Sequence, residues 1–236
     1  RSLENVANEI EWLKENHGIQ SIVFDDENLI VDKERAKSLF RMWIDKKYNL
    51  GWISPGIALY KMDEELMELM KESGAEAINI AIESGNSRVL KEIVHKPLNL
   101  DFAKRSIEMM KKYDVFLSAN FVIGFPGETW QEIRETIKFA EEIDVDYIKI
   151  YIATPLPNTP LYRIVQEQGL FREGFDDDKL LWREGWIKSP EFRPQDLRVL
   201  RAYEWDRLNF SDSTKKKRIA ERMGVSEERL EQIRKE

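Results

Sequence analysis

Five short apolar runs alternate with amphipathic stretches between Gln20 and Gln168, and that beat leaves few folds open to the chain. Residues 20–25, 52–55, 76–82, 115–123 and 146–153 read as strands, with Pro55 weakening the second. Between them, helices are expected at 3–16 and 32–47, from Asp63 to Gly74, in a short piece near 86–94, at 101–113, from Thr129 to about Glu142 and near 159–168. Thr129 and Glu132 have the spacing of a capping box. Alternating strands and helices with short loops imply a parallel sheet with right-handed crossovers. Five strands are too few to close an eight-strand barrel, so the expectation is an open, partial α/β barrel without its first strand. The domain reading is 1–170 for this barrel and 171–236 for a C-terminal helical extension. Within the extension, 171–193 has no clear period, a helix runs from Pro194 to about Asn209, Ser211 to Thr214 links, and two charged helices flank Gly224.

Composition narrows function more than fold. The 236 residues are 42% hydrophobic, enough for a sizeable core, and no run approaches the roughly 18 apolar residues of a membrane span. No signal peptide is recognisable, and a cytoplasmic location is expected. A net charge of −7 argues against general nucleic-acid binding. There is no cysteine, so neither disulfides nor thiolate metal sites can form, and only His17 and His95 offer imidazoles. The chain does not open on Met and begins inside a helical pattern, so it reads as part of something longer.

Several strand ends carry residues suited to a ligand, each with a plainer alternative. Glu83 ends an apolar run and precedes Ser84-Gly85; its carboxylate could accept hydrogen bonds from a diol, or it could cap the next helix or pair with a lysine. Gly124-Phe125-Pro126-Gly127 offers glycine backbone against which a flat ring could lie, or it is a turn needing positive φ at Gly127. Asp25, Asp26 and Glu27 could hold an ammonium group, or serve as a cap and solvated charge; three adjacent carboxylates make a weak metal signal. Thr154 to Pro160 forms a rigid loop that could wall a pocket. Lys215 to Arg218, before Ile219 to Ser226, looks like half of a helix-turn-helix, but Glu227, Glu228 and Glu231 would repel phosphates there. No nucleotide-binding glycine loop, nucleophile elbow or HExxH is present.

Taken in order, Arg1-Ser-Leu-Glu-Asn-Val6, Val23-Phe-Asp-Asp-Glu-Asn28, Ile82-Glu-Ser-Gly-Asn86, Phe121 to Thr129, Ala153 to Tyr162 and Pro190 to Leu197 resemble the radical S-adenosylmethionine (SAM) superfamily. The likeness is greatest to the branch in which a cobalamin-binding domain precedes the radical domain, as in the oxidative cyclase of Mg-protoporphyrin monomethyl ester. The resemblance covers nearly the whole chain. It implies a partial (β/α)6 TIM-like open barrel with SAM at its C-terminal mouth. By family pattern Glu83 would hold the ribose hydroxyls, with Ser84 beside it. His95 or Lys96 would meet the methionine carboxylate, and Asp25 and Asp26 its amino group. Gly124, Phe125, Pro126, Gly127, Ala153 and Thr154 would line the adenine.

The resemblance also implies a [4Fe–4S] cluster on a CxxxCxxC loop, and this chain departs from the pattern by having no thiolate to offer. The expectation is that the sequence starts downstream of that loop and that the chain as given is inactive. Full-length, the resemblance implies reductive SAM cleavage to a 5′-deoxyadenosyl radical, with hydrogen abstraction or cobalamin-dependent methyl transfer on an unknown small molecule. A reductant such as flavodoxin or ferredoxin would supply the electron. Two rivals stand beside this reading: a methylthiotransferase-like enzyme acting on RNA, which shares the Gly-Phe-Pro-Gly-Glu run, and a cluster-less scaffold or binding module. Without a first strand, the edge near 20–25 would be free to pair with another chain and form an oligomer.

Overall fold

A computed structural model describes residues 1–235. Strands β1 (Ser21–Val23), β2 (Gly51–Ile57), β3 (Ala75–Glu83), β4 (Phe116–Ile123) and β5 (Tyr147–Ile152) form one parallel sheet in sequence order. Helices α1 (Leu3–His17), α2 (Lys33–Asp45), α3 (Glu64–Glu72), α4 (Leu100–Met110), α5 (Trp130–Ile143) and α6 (Pro160–Glu167) precede β1, connect the strands or follow β5. Then come α7 (Pro194–Phe210), α8 (Ser213–Met223) and α9 (Glu227–Lys235). The sheet does not close into a barrel. The chain divides into two compact units, one of residues 1–81 and 101–118, the other of 82–100 and 119 onward.

The first unit is built around an aromatic core. Trp52 of β2 stacks on Phe40 of α2, with ring centroids 5.0 Å apart, and Phe24 meets both Trp43 and Trp52. The Trp52 indole N–H donates to Ser73 Oγ at 3.0 Å, so this side chain faces the helices. Ser2, Asp32 and Asp63 cap α1, α2 and α3 with side-chain oxygens, each accepting an N–H three residues on. Lys37, almost buried on α2, is neutralised by Glu65 and by Asp63.

Pro55 does not weaken β2. The strand runs through it because the β2–β3 register slips between Ser54 and Ile57, where no ladder N–H is needed. The Pro55 carbonyl instead accepts the Asn79 side-chain amide. Two other expectations shift. β1 is only three residues long, and the helix near 86–94 widens into a π turn over Val89–Ile93, with Val94 N–H reaching Val89 O at 2.9 Å. The link before α8 shrinks, because Asp212 already caps that helix.

In the second unit, the alternate residues Ile148, Ile150 and Ile152 of β5 are buried, while Tyr147, Lys149 and Tyr151 are half-buried. The free edge of β5 is covered from α7 and the segment before it. Asn209 accepts the Ile148 N–H at 2.7 Å and donates to the Ile148 carbonyl at 2.9 Å. Arg201 Nε donates to Ile150 O at 3.0 Å, and Ile152 N–H to Trp182 O at 2.8 Å. Four polar groups on that edge therefore find partners without a sixth strand.

Candidate functional site

The second unit brings together two strand ends. At the end of β3, Glu83 has φ +75°, a left-handed conformation that a non-glycine residue adopts at a cost of about 1–3 kcal/mol. Ser84 and Gly85 then pack into α5. The Ser84 hydroxyl is fully buried, lies 3.0 Å from Thr136 Oγ1 and accepts the Asn86 N–H. Gly85 has to be glycine: a Cβ there would lie 2.4 Å from Phe139 Cβ and 2.8 Å from Thr136 Cα. Ser84 is thus occupied in packing, and Glu83 is left half-exposed at the sheet end.

Lys96 reaches back to Glu83, with Nζ 3.2 Å from Oε1. This pairing is the plainer alternative of the sequence reading, and it also sets a cation beside the carboxylate. Burial pushes the nearby Tyr151 phenol up, and the charge of Glu83 adds to that. His95 turns elsewhere, at φ +55° with Nδ1 3.1 Å from Lys91 O.

At the end of β4, Gly124 to Thr129 forms a turn held from both sides. Glu128 Oε2 accepts the N–H of Gly124 at 2.6 Å and of Phe125 at 3.0 Å. Its other oxygen, Oε1, is buried with no hydrogen-bond partner among the described residues. Burial, reinforced by Glu132, raises the Glu128 carboxyl to about 7 despite the two N–H donors. Arg88 grips Glu132 through Nε at 2.6 Å and Nη2 at 2.7 Å, and donates to Gly127 O at 2.9 Å. That guanidinium holds the Glu132 carboxyl down at about 2. The expected capping box of Thr129 and Glu132 is present. Gly127 sits at φ +76° with open space where a side chain would be.

Phe125, Pro126 and Gly127 line a cavity of about 340 Å³ with His95, Leu161 and Ile164. Phe125 packs against a small cluster that contains Ala153, whose N–H donates to Ile123 O at 2.9 Å. Thr154 Oγ1 donates to Ile152 O. In the first unit, Asp25 and Asp26 are exposed beyond β1 and line a separate cavity of about 500 Å³ with Phe24, Asn28 and Arg1. The turn's two anchors, Glu128 and Arg88, were not singled out from sequence. Arg88 lies 44 residues from Glu132, and no local signal links them.

A sequence profile of the radical SAM superfamily matches residues 1–140. The chain belongs to the radical SAM superfamily. It is 34% identical over 197 residues to cytidylyl-2-hydroxyethylphosphonate methyltransferase of Streptomyces wedmorensis, covering 80% of this chain and 36% of that protein. To the anaerobic magnesium-protoporphyrin IX monomethyl ester cyclase of Cereibacter sphaeroides it is 24% identical over 172 residues, 71% of this chain and 28% of that one. Among solved structures, the radical SAM methyltransferase TsrM of Kitasatospora setae, with cobalamin and a [4Fe–4S] cluster bound, superposes with TM-score 0.67 at 18% identity. That superposition covers 91% of this chain and 42% of the other, and it shows the fold. The chain spans about a third of the length of the curated relatives it matches.

The family's two cofactors fit this chain differently. A strained carboxylate with an adjacent cation, beside a glycine-containing turn and its cavity, suits a zwitterionic nucleoside such as SAM. A cluster finds no ligand here: there is no cysteine, and no group of metal-binding side chains occurs among the described residues. The basic run before α9 is taken up internally. Lys215 pairs with Asp144, Lys216 with Glu231 and Arg218 with Asp146.

Proposed function

We propose that this chain is the SAM-binding core of a radical SAM enzyme, with residues 1–170 forming the core and 171–236 an extension that covers the β5 edge. The observation that carries the reading is the left-handed backbone at Glu83. Strain of that size persists where a side chain must be aimed at a ligand, and Glu83 stands at the C-terminal end of a parallel strand. Glu83 accepts the ribose hydroxyls and Lys96 meets the methionine carboxylate. Phe125, Pro126 and Gly127 give the adenine an apolar wall and open backbone, with Ala153 and Thr154 beside them. Glu128 and Arg88 are positioning residues, which hold that wall in one conformation.

Reductive cleavage of SAM is the chemistry the family's [4Fe–4S] cluster supplies, and its thiolates belong to a part of the protein outside this chain. The whole protein acts on a small molecule, draws electrons from a flavodoxin- or ferredoxin-type donor and works in the cytoplasm. No helix among the described residues is long and apolar enough to cross a membrane. The methyltransferases among the relatives make methyl transfer the favoured outcome, with a cobalamin-binding domain elsewhere in the protein. Calorimetry with SAM on the intact protein tests the site. Glu83→Ala should weaken binding at least ~10-fold, the effect of losing a charge-assisted hydrogen bond pair. Unchanged affinity would remove Glu83 from the ribose role.

A further inference from the structure

Beside β5 lies an open cleft of about 580 Å³, lined by Arg183, Glu184, Gln195, Arg198, Val199 and Arg201. Its arginines outnumber its carboxylates. Several arginines elsewhere are matched by carboxylates: Arg88 by Glu132, Arg207 by Glu141 and Glu204, Arg234 by Asp206 and Glu231. In the cleft, Glu184 neutralises Arg198 at 3.2 Å. Among the described residues no carboxylate pairs with Arg183 or Arg201, and the two are close enough for Arg183 to act on the charge of Arg201. The chain carries a net charge of −7, yet residues 181–202 hold five basic and three acidic side chains.

Arg201 is held rather than free to swing. Its Nε is fixed on Ile150 O, and its guanidinium lies 4.7 Å from the Trp182 ring centroid. Burial draws it below its ordinary range, and the neighbouring Arg183 charge adds to this. Trp182 is 46% exposed and meets Tyr151 edge-to-face at 5.0 Å. Tyr151 in turn lies within the field of Glu83, at the strand end assigned to SAM. Two like charges held together cost energy that a dianion would relieve. Planar guanidiniums match the oxygen fork of a tetrahedral phosphorus group, and the exposed part of Trp182 offers apolar surface to the rest of the same molecule.

We propose that Arg183 and Arg201 anchor a phosphoryl or phosphonyl group of the small-molecule substrate, with Trp182 packing the apolar portion next to it. The anion site stands on its own geometry; its use as a substrate anchor rests on the SAM reading of Glu83. Calorimetry on the intact protein at low ionic strength, with inorganic phosphate, phenyl phosphate, benzoate and SAM as separate probes, tests both. Phosphate and phenyl phosphate should bind saturably, phenyl phosphate the tighter, and benzoate more weakly than either. Arg183→Gln should weaken both phosphorus probes at least ~10-fold and leave SAM affinity unchanged. Arg183 is exposed, so its replacement should leave the fold intact; Arg201→Lys, which keeps the charge and loses the fork, should show a smaller loss. No saturable phosphate binding, benzoate binding as tightly as phenyl phosphate, or an Arg183→Gln protein that binds phosphate unchanged would each overturn the anchor. Phosphate binding that depends on Arg183, in a protein that does not bind SAM, would overturn the SAM reading instead and keep the anion site.

Discussion

The strand ends of the two units are built in opposite ways. Beyond β4, every turn of the backbone from Gly124 to Thr129 is fastened by a side chain from nearby or from far along the sequence: Glu128 on two amides, Arg88 on a carbonyl, Glu132 on the helix start. Beyond β1, Asp25 and Asp26 stand exposed, with no hydrogen bond or ion pair to either carboxylate among the described residues. The contrast separates two ways of presenting polar groups to a ligand. The first has its shape before anything binds, and so loses little entropy on binding; the second has charge but no imposed geometry.

Four measurements would sharpen or break that contrast. The largest effect is expected at Gly85→Val. The new side chain meets α5 backbone, which cannot retreat, so urea unfolding should show a loss of ~3 kcal/mol or more. A loss under ~1 kcal/mol would mean the β3 end is looser than its contacts imply.

Glu128 should give the protein a pH signature. Its folded value of about 7 lies above the ordinary 4.5, so between those values the folded protein holds a proton that the unfolded chain has released. Stability therefore falls as pH rises through that window and levels off above it, by roughly 3 kcal/mol at most. Glu128→Gln should remove this fall, and identical pH profiles for the two proteins would count against a neutral, buried Glu128.

Arg88→Met removes a paired fork and the Gly127 contact from a partly exposed position, so ~1–2 kcal/mol should be lost in thermal or chemical unfolding. Smallest of all, Asp25→Asn with Asp26→Asn should shift stability by less than ~0.5 kcal/mol in chemical unfolding. A large stability change there would show that the β1 end is a structural cap after all.

Much of this organisation was legible in the residues. The βα beat, the helix caps at Asp63 and Thr129 and the placement of ligand-type residues at strand ends all rest on short-range periodicity or on partners three residues apart. What escaped depends on long-range pairing. Pro55 fits a strand only because the register slips against β3, and Ser84 is occupied only because α5 brings Thr136 to it. A lysine partner for Glu83 was among the alternatives, but that it is Lys96 depends on a π turn between them that nothing in residues 86–94 announces. Trp52 faces the helices because Phe40 of α2 and Ser73, just past α3, come to meet it.

The covered edge of β5 has a kinetic consequence. An outermost strand ordinarily exchanges its outward amide hydrogens with solvent quickly, but here Ile148 N–H is closed off by Asn209 and Ile152 N–H by the Trp182 carbonyl. Those two amides should exchange as slowly as those of an interior strand for as long as residues 182–209 stay docked. Their exchange rates are thus a clock for how often the segment carrying Arg183 and Arg201 lifts away.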